Sequence, residues 1–378
     1  MRIIYLTTAM MPKDFNNLVK ISKVKPNPSS QNFHYKIIHE LKKDNDVTVI
    51  SLRPANSTTC DQHYFEHEIN DIFIYPSFFN KKLFKNFTFI RNSKKIISSL
   101  KYNEQPIVLV DLLNPHLAKL AHYIRKNHGG RIVGIITDNP NNLSNVNHRY
   151  IKKVESSFSY CNAYITLTEN LNKYINRRNR PFLIIPGILS EDIIVKEMPV
   201  NYKYIFFGGA LYERYGVRNL IEAFKKVNTE ARLIIAGHGP MKEEIALLAE
   251  NDPRFIYAGL LSFREMLQYQ QHALININPR IFTSDLDYYS IPSKVIDYAD
   301  SNMPTISSLS HDLKKIYGDS IHWIYNSSID QLAQEITNVL KNIDEKKQKA
   351  IKAKKIGRQH FDPKIIGNKI NSFFKELF

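Results

Sequence analysis

The chain is poor in cysteine: Cys60 and Cys161 are its two thiols, and nothing spaces them for zinc. So few in 378 residues suit a reducing compartment. It also has no apolar run approaching the roughly 18–20 residues that cross a bilayer. Met1-Arg2-Ile3-Ile4-Tyr5-Leu6 is too short for a secretory signal and reads as a first buried strand. There is no internal repeat, no P-loop and no GxGxxG, so neither ATP nor dinucleotide chemistry is indicated. A recognition helix, RNP or zinc-finger signature is likewise missing, which argues against nucleic acid as a partner.

What is present is enough apolar residue, 43%, to fill a core, in a length that suits two domains of roughly 170–200 residues each. The charge is uneven. Residues 1–187 hold 27 Lys/Arg against 13 Asp/Glu, a net +14, and residues 188–378 hold 25 against 23, a net +2. An excess confined to one half needs an anionic partner or a reason. It is densest from Phe78 to Lys101, where Phe78, Phe79, Phe84, Phe87 and Phe89 interleave with Lys81, Lys82, Lys85, Arg91, Lys94 and Lys95. A solvated helix face over core phenylalanines and an anionic membrane surface both fit this composition.

Strand and helix patterns alternate throughout, which predicts parallel sheets with helical crossovers. The strands read as Arg2–Thr8, Val47–Leu52, Ile72–Tyr75, Ile107–Asp111, Arg131–Asp138, Ala163–Thr168 and Phe182–Ile185. After a linker over Pro186–Val200 they resume as Tyr204–Phe207, Arg232–Ala236, Phe255–Tyr257, Ala273–Asn278, Thr305–Ser308 and Ile321–Tyr325. Unbroken Ile/Val/Leu runs are what strands buried on both faces look like. The predicted division is 1–187, 188–355 and a C-terminal helical segment, 356–378. Two such doubly wound units bind ligands beyond the C-terminal ends of their strands, across the cleft between them.

Those strand ends carry the candidate chemistry. Gly208-Gly209 closes one strand and opens a loop through Arg214 to Gly216, and Gly237 and Gly239 follow another. Glycines there let backbone approach a phosphate. Asn278-Pro279-Arg280 ends a third strand, and Tyr289-Ser290-Ile291-Pro292-Ser293-Lys294 leads into a helix that contains Asp297. Arg280, Lys294 and nearby N–H groups could neutralise a pyrophosphate, and a carboxylate one turn further could take both hydroxyls of a ribose. Asp138 and Asp111 are strand-end carboxylates; Asp138 could bind a hydroxyl or move a proton, although Asp-Asn-Pro is also a good turn. His34 and His116 have no partner in sequence and read as structural. Asp285-Leu286-Asp287 has the form of a metal-binding D-x-D but lies in a loop between Arg280 and Tyr289, where that role is not expected.

From about residue 200 to 310 the chain resembles the nucleotide-sugar domain of family-4 retaining glycosyltransferases of the GT-B fold. The resemblance is to a bacterial surface-polysaccharide branch and rests on "GGALYERYGVRNLIEAF", "LIIAGHGP", "FIYAGLL", "INPR" and "YSIPSKVIDYADSNMPTISS". "QNFHYKIIHELKKDNDVTVISLRP", "GIITDNP" and "YITLTENLNKYIN" extend it more loosely over the first half. It implies transfer of a sugar, with retention, from a nucleotide diphosphate donor, UDP above all, to a lipid-linked or polysaccharide acceptor. With Arg280, Lys294 and N–H groups meeting the leaving phosphate, no metal and no cofactor are expected to be required, and the two thiols and basic first half suit a cytoplasmic protein peripheral to the inner membrane face. Asp297 then stands where the second glutamate of E-x7-E holds the ribose. Ser290 and Ile291 would offer N–H groups, Gly208 and Gly209 would line the phosphates, and Leu260 would border the base.

Three positions depart from the family pattern. Ala210 and Tyr215 stand where it has Arg and Lys, and Tyr289 replaces the first glutamate. Arg280 and Lys294, with Arg214 as a third candidate, are the expected substitutes. The rival reading, which these departures support, is a non-catalytic scaffold that binds glycan or a true transferase.

Overall fold

The computed structural model describes residues 1–26, 28–143, 146–281 and 288–377. The chain forms two compact units: Met1–Ile188 with Tyr288–Ser290 and Pro363–Phe378, and Leu189–Asp287 with Ile291–Asp362.

Unit 1 contains β1 (Arg2–Thr7), β2 (Asp46–Ser51), β3 (Tyr64–Phe65), β4 (Glu68–Asn70), β5 (Phe73–Tyr75), β6 (Phe78–Phe79), β7 (Ile107–Asp111), β8 (Arg131–Ile136), β9 (Ala163–Thr166) and β10 (Phe182–Ile184). Its main sheet has the order β10-β9-β8-β7-β1-β2-β5-β4. All neighbours are parallel except β4, which pairs antiparallel with β5. Ile3, Ile4, Tyr5 and Leu6 of β1 are buried on both faces, as the apolar run predicts.

Unit 2 contains β11 (Tyr204–Gly208), β12 (Arg232–Ala236), β13 (Phe255–Gly259), β14 (Ile275–Asn278), β15 (Thr305–Ser308) and β16 (His322–Ile324). Their order, β13-β12-β11-β14-β15-β16, is parallel throughout. By order along the chain this is 3-2-1-4-5-6, the doubly wound arrangement whose direction reverses between its first and fourth strands. Alternate residues serve opposite faces. Ile205, Phe207, Ile275 and Ile277 join one core, packed with the helices Val217–Lys225 and Ile329–Lys341, while Tyr204 and Phe206 join another.

The strands expected from sequence are present with ends shifted by one or two residues. The short β3, β4 and β6 were not legible as strands: at two or three residues each they carry no period. The phenylalanine-rich segment needs correction. Phe78 pairs within the β3–β6 ribbon and Phe89 faces inward from the helix Lys85–Ser99, and both are fully buried core residues. Phe79, Leu83, Phe84 and Phe87 are left outside, at 50%, 83%, 54% and 64% exposure.

The C-terminal division also differs from the sequence-based one at 355/356. The helix Ile343–Phe361 runs through that point unbroken. Arg358 ties it to its own unit: Nε donates to Asp300 Oδ1 at 2.6 Å, Nη2 to the other Asp300 oxygen, and Nη1 to the Ser190 carbonyl at 2.9 Å. Pro363 then starts a new helix, Pro363–Leu377, as proline suits a first helical position. Its Ile366, Ile370 and Phe374 enter the unit 1 core, and Asn371 accepts from Asn45 at 3.0 Å. Phe374→Ala is therefore expected to cost about 3–5 kcal/mol in urea unfolding, and a loss below about 1 kcal/mol would contradict the placement of this helix.

Candidate functional site

Reversal of strand order in unit 2 sets the carboxyl ends of β11 and β14 side by side, and ligands of doubly wound sheets bind at such a point. Gly208 ends the first and Asn278 the second. Backbone bonds knit the turns above them: Gly209 donates to the Ala236 carbonyl at 2.8 Å and Gly237 to that of Gly259 at 2.7 Å. Gly237, at φ +139°, leaves no room for a β-carbon against the Gly209 carbonyl. Gly216, at φ +75°, lies as tightly against the Pro279 carbonyl, and Ile281 donates to the Arg214 carbonyl at 3.3 Å. The glycine loop and the Asn278-Pro279-Arg280 strand end thus form one surface.

Lys294 enters that surface from the helix Ser293–Ala299. Its Nζ lies 5.4 Å from the centre of the Phe207 ring and 5.2 Å from that of Tyr215. A β-carbon on Gly209 would overlap Lys294 Cε and Nζ, so the absence of a side chain there is what admits the amine. Part of the lysine stays accessible, but the amine is hemmed in by rings and backbone. Burial pushes its pKa down to about 8; the Arg280 charge acts the same way and Asp297 opposes both. A desolvated cation between ring faces gains about 0.5–2 kcal/mol from each, which offsets part of its lost hydration.

Arg280 is buried, at 8% exposure, and its carbonyl accepts from Ser308 Oγ at 2.5 Å. Asn278 and Asn276 are buried polar residues on the same strand. Asn278 Nδ2 donates to Ser307 Oγ at 3.0 Å, and Asn276 Nδ2 to the Gln270 carbonyl at 3.0 Å. Arg214 is exposed, with Cζ 5.4 Å and 5.1 Å from the ring centres of Tyr212 and Tyr215. Tyr215, which stands where the pattern the chain resembles has lysine, therefore packs against both Lys294 and Arg214. Asp297 is partly buried on the helix that carries Lys294. Leu260 and Ser293 are exposed, and Ile291 is buried.

Sequence reasoning missed Tyr298. It is fully buried, and its hydroxyl accepts from the Gly208 N–H at 2.9 Å and donates to the Gly208 carbonyl at 3.2 Å. It stands four residues after Lys294, on the same helix face. An amphiphilic ring four residues after Lys294 was the available signal.

Several other candidates lie in unit 1. Tyr289 and Ser290 belong to unit 1, where the Tyr289 carbonyl accepts from Thr168 Oγ1 at 3.4 Å and its ring meets Tyr174 edge-on at 5.7 Å. Asp138, also in unit 1, lies beyond the strand it was expected to end. Its Oδ1 accepts from the Asn139 N–H at 2.8 Å, and Asn139 in turn caps the short helix Pro140–Asn142. His34 is a core residue, 2.8 Å from the Tyr5 hydroxyl and 3.7 Å from Asp111. Burial lowers the His34 pKa and raises that of Asp111. His116 is pushed down to about 4 by burial and by nearby lysines. Burial pushes the Cys161 thiol up to about 12. Asp285-Leu286-Asp287 falls outside the described residues. Among the described residues no group of three or more His, Cys, Asp or Glu side chains is arranged to hold a metal.

Residues 202–342 match the family model for Glycosyl transferases group 1. The match contains Gly208, Gly209, Arg280, Lys294 and Asp297. Among solved structures the chain is similar over its whole length to sucrose-phosphate synthase from Thermosynechococcus elongatus, with TM-score 0.76, 12% identity and 99% of that chain covered. It is also similar to Anabaena HepE in complex with UDP, with TM-score 0.69, 11% identity and both chains fully covered. The lipopolysaccharide outer core galactosyltransferase WaaB gives TM-score 0.62 at 14% identity, again over both full chains. At such identities the likeness shows the fold: two Rossmann-like units with parallel sheets, as the sequence pattern predicts. No curated protein matches the chain in sequence.

The lodging of Lys294 can be checked by NMR titration of its side-chain carbons. The expected midpoint is about 8 in the natural chain, and it rises toward the ordinary 10.5 in Gly209→Ala, where the new methyl displaces the amine. A midpoint near 10.5 in the natural chain would contradict the site.

Proposed function

We propose that the chain is a retaining glycosyltransferase that moves a sugar from a nucleotide diphosphate, UDP by preference, to a lipid-linked or polysaccharide acceptor. The observation that carries the proposal is the Lys294 amine held over Gly209, beside Arg280, at the strand-order reversal of the unit that matches the family. Two cations near each other repel, Asp297 offsets part of that cost, and a diphosphate would offset more.

In the proposed reaction the bond from the anomeric carbon to the diphosphate oxygen breaks. A bond to the acceptor oxygen forms on the same face of the sugar, and the acceptor proton leaves with the diphosphate. Positive charge spreads over the ring as negative charge grows on the leaving group. Lys294, Arg280 and the backbone around Gly208 and Gly209 meet that negative charge, so that positioning and electrostatics provide the acceleration and the protein's own cations serve as counter-charge. Tyr298 holds Gly208 in place. Asp297 is the proposed ribose contact, and Asp138 of unit 1 the acceptor-side carboxylate.

The net +14 of residues 1–187 and the exposed Leu83, Phe84 and Phe87 support a position against an anionic membrane face. No helix of the described residues is long and apolar enough to cross a membrane. A scaffold that binds nucleotide without turnover is the second reading, favoured by Ala210 and Tyr215, where the family has cations.

Arg280→Ala is expected to lower sugar transfer about 100- to 1,000-fold, with Arg280→Lys intermediate. Unchanged transfer in a folded Arg280→Ala protein would remove this site. Affinity for UDP should also fall as pH rises through about 8, because the lowered Lys294 pKa means the amine loses its charge there. A flat calorimetric profile across that range would show that the amine does not meet the phosphates.

A further inference from the structure

We propose that a second anion site lies on unit 1: a hollow of about 380 Å³, lined by Lys94, Lys119, His122, Tyr123, Lys126 and Tyr160, that receives the phosphate of a lipid headgroup. It rests on the proposed membrane position of this unit and names the contact that fixes it.

The two helices that supply the lysines of the hollow, Lys85–Ser99 and Pro115–His128, come from stretches without acid, and Tyr160 completes the lining from the turn Phe158–Tyr160. No Asp or Glu occurs between Asp71 and Glu104, where there are seven Lys/Arg, or between Asp111 and Asp138, where there are four. Among the described residues Lys94, Lys119 and Lys126 form no ion pair, whereas Lys42, Lys226 and Lys354 elsewhere each hold a carboxylate. Converging cations with no internal counter-charge repel one another until an anion enters.

Four of the lining side chains are held by their neighbours. Lys94 Nζ lies 4.7 Å from the centre of the Tyr123 ring, and the Tyr123 hydroxyl is 3.0 Å from Ser98 Oγ. His122 stacks on Tyr160 at 4.7 Å. Its Nδ1 lies 3.3 Å from an Arg125 guanidinium nitrogen, which can only donate. Lys94, Lys119 and Lys126 supply the cations that complement a phosphate group.

Its position points to a headgroup. On the helix Lys85–Ser99, Phe87 and Lys94 are seven residues apart, which places them on one face about 10 Å apart along the axis. Phe89, Ser93 and Ile97 form the opposite, buried face. An interfacial apolar side chain enters the membrane by about 5–10 Å. With Leu83, Phe84 and Phe87 inserted, Lys94 and the hollow stand at the level of the phosphates.

The test is co-sedimentation of the intact chain with vesicles of phosphatidylcholine, alone or mixed with phosphatidylglycerol. The mixed vesicles are expected to bind and the neutral ones not. Lys94→Ala/Lys119→Ala/Lys126→Ala should lower partitioning about 100-fold, and Phe84→Ser/Phe87→Ser should weaken it independently. Both variants alter exposed residues, so their unfolding midpoints and UDP affinity should match the natural chain, which separates failure here from failure of the sugar-transfer reading. Undiminished partitioning of the triple variant would overturn the proposal. So would binding of inorganic phosphate or a DNA duplex through the same lysines without binding to vesicles.

Discussion

The glycine turns and strand ends of unit 2 close around one part-buried cation. The Lys294 amine is held where bulk water is largely excluded, between the rings of Phe207 and Tyr215 and over a residue with no side chain. Losing hydration costs a lysine several kcal/mol, and ring faces recover a fraction of it. The remainder is seen in the low pKa of the amine. A cation kept in that condition is prepared for an anion. Gly209, Gly216 and Gly237 hold the backbone close around it, and Tyr298 fixes Gly208 from the other side.

This arrangement changes the meaning of the departures from the family pattern. Tyr215 is not simply a missing lysine: its ring packs on Lys294 and on Arg214, so the position now supports cations supplied by other elements. Arg280, at the end of a strand whose asparagines are bonded within the unit, is similarly fixed by its neighbours. Positive charge lies on the next strand end and helix, at Arg280 and Lys294.

Much of this was legible in the sequence, for identifiable reasons. Strands buried on both faces must be apolar along their length, so Ile3–Leu6, Ile107–Val110 and Leu233–Ile235 showed themselves as runs. Glycines at strand ends marked the turns, and Lys294 and Arg280 could be named as cations close to one another. Tyr298 could not be assigned, because an aromatic inside a helix reads as core until its hydroxyl partner is known. The phenylalanines of the Phe78–Lys101 segment were legible as a group, but not individually. Helical period separates Phe87 from Phe89, whereas the burial of Phe78 depends on a two-residue ribbon that no periodicity reveals. The assignment of Tyr289 and Ser290 to unit 1 is a tertiary fact, set by Thr168 and Tyr174 more than a hundred residues earlier.

The central claim is that unit 2 meets a diphosphate through Lys294 and Arg280. Calorimetric titration of UDP and UMP into the intact chain tests it most directly, since the ligands differ in the second phosphate alone. A charge-assisted contact to that phosphate predicts one site with UDP bound about tenfold or more tightly than UMP. Equal affinities for the two, or no binding of UDP, would contradict the account.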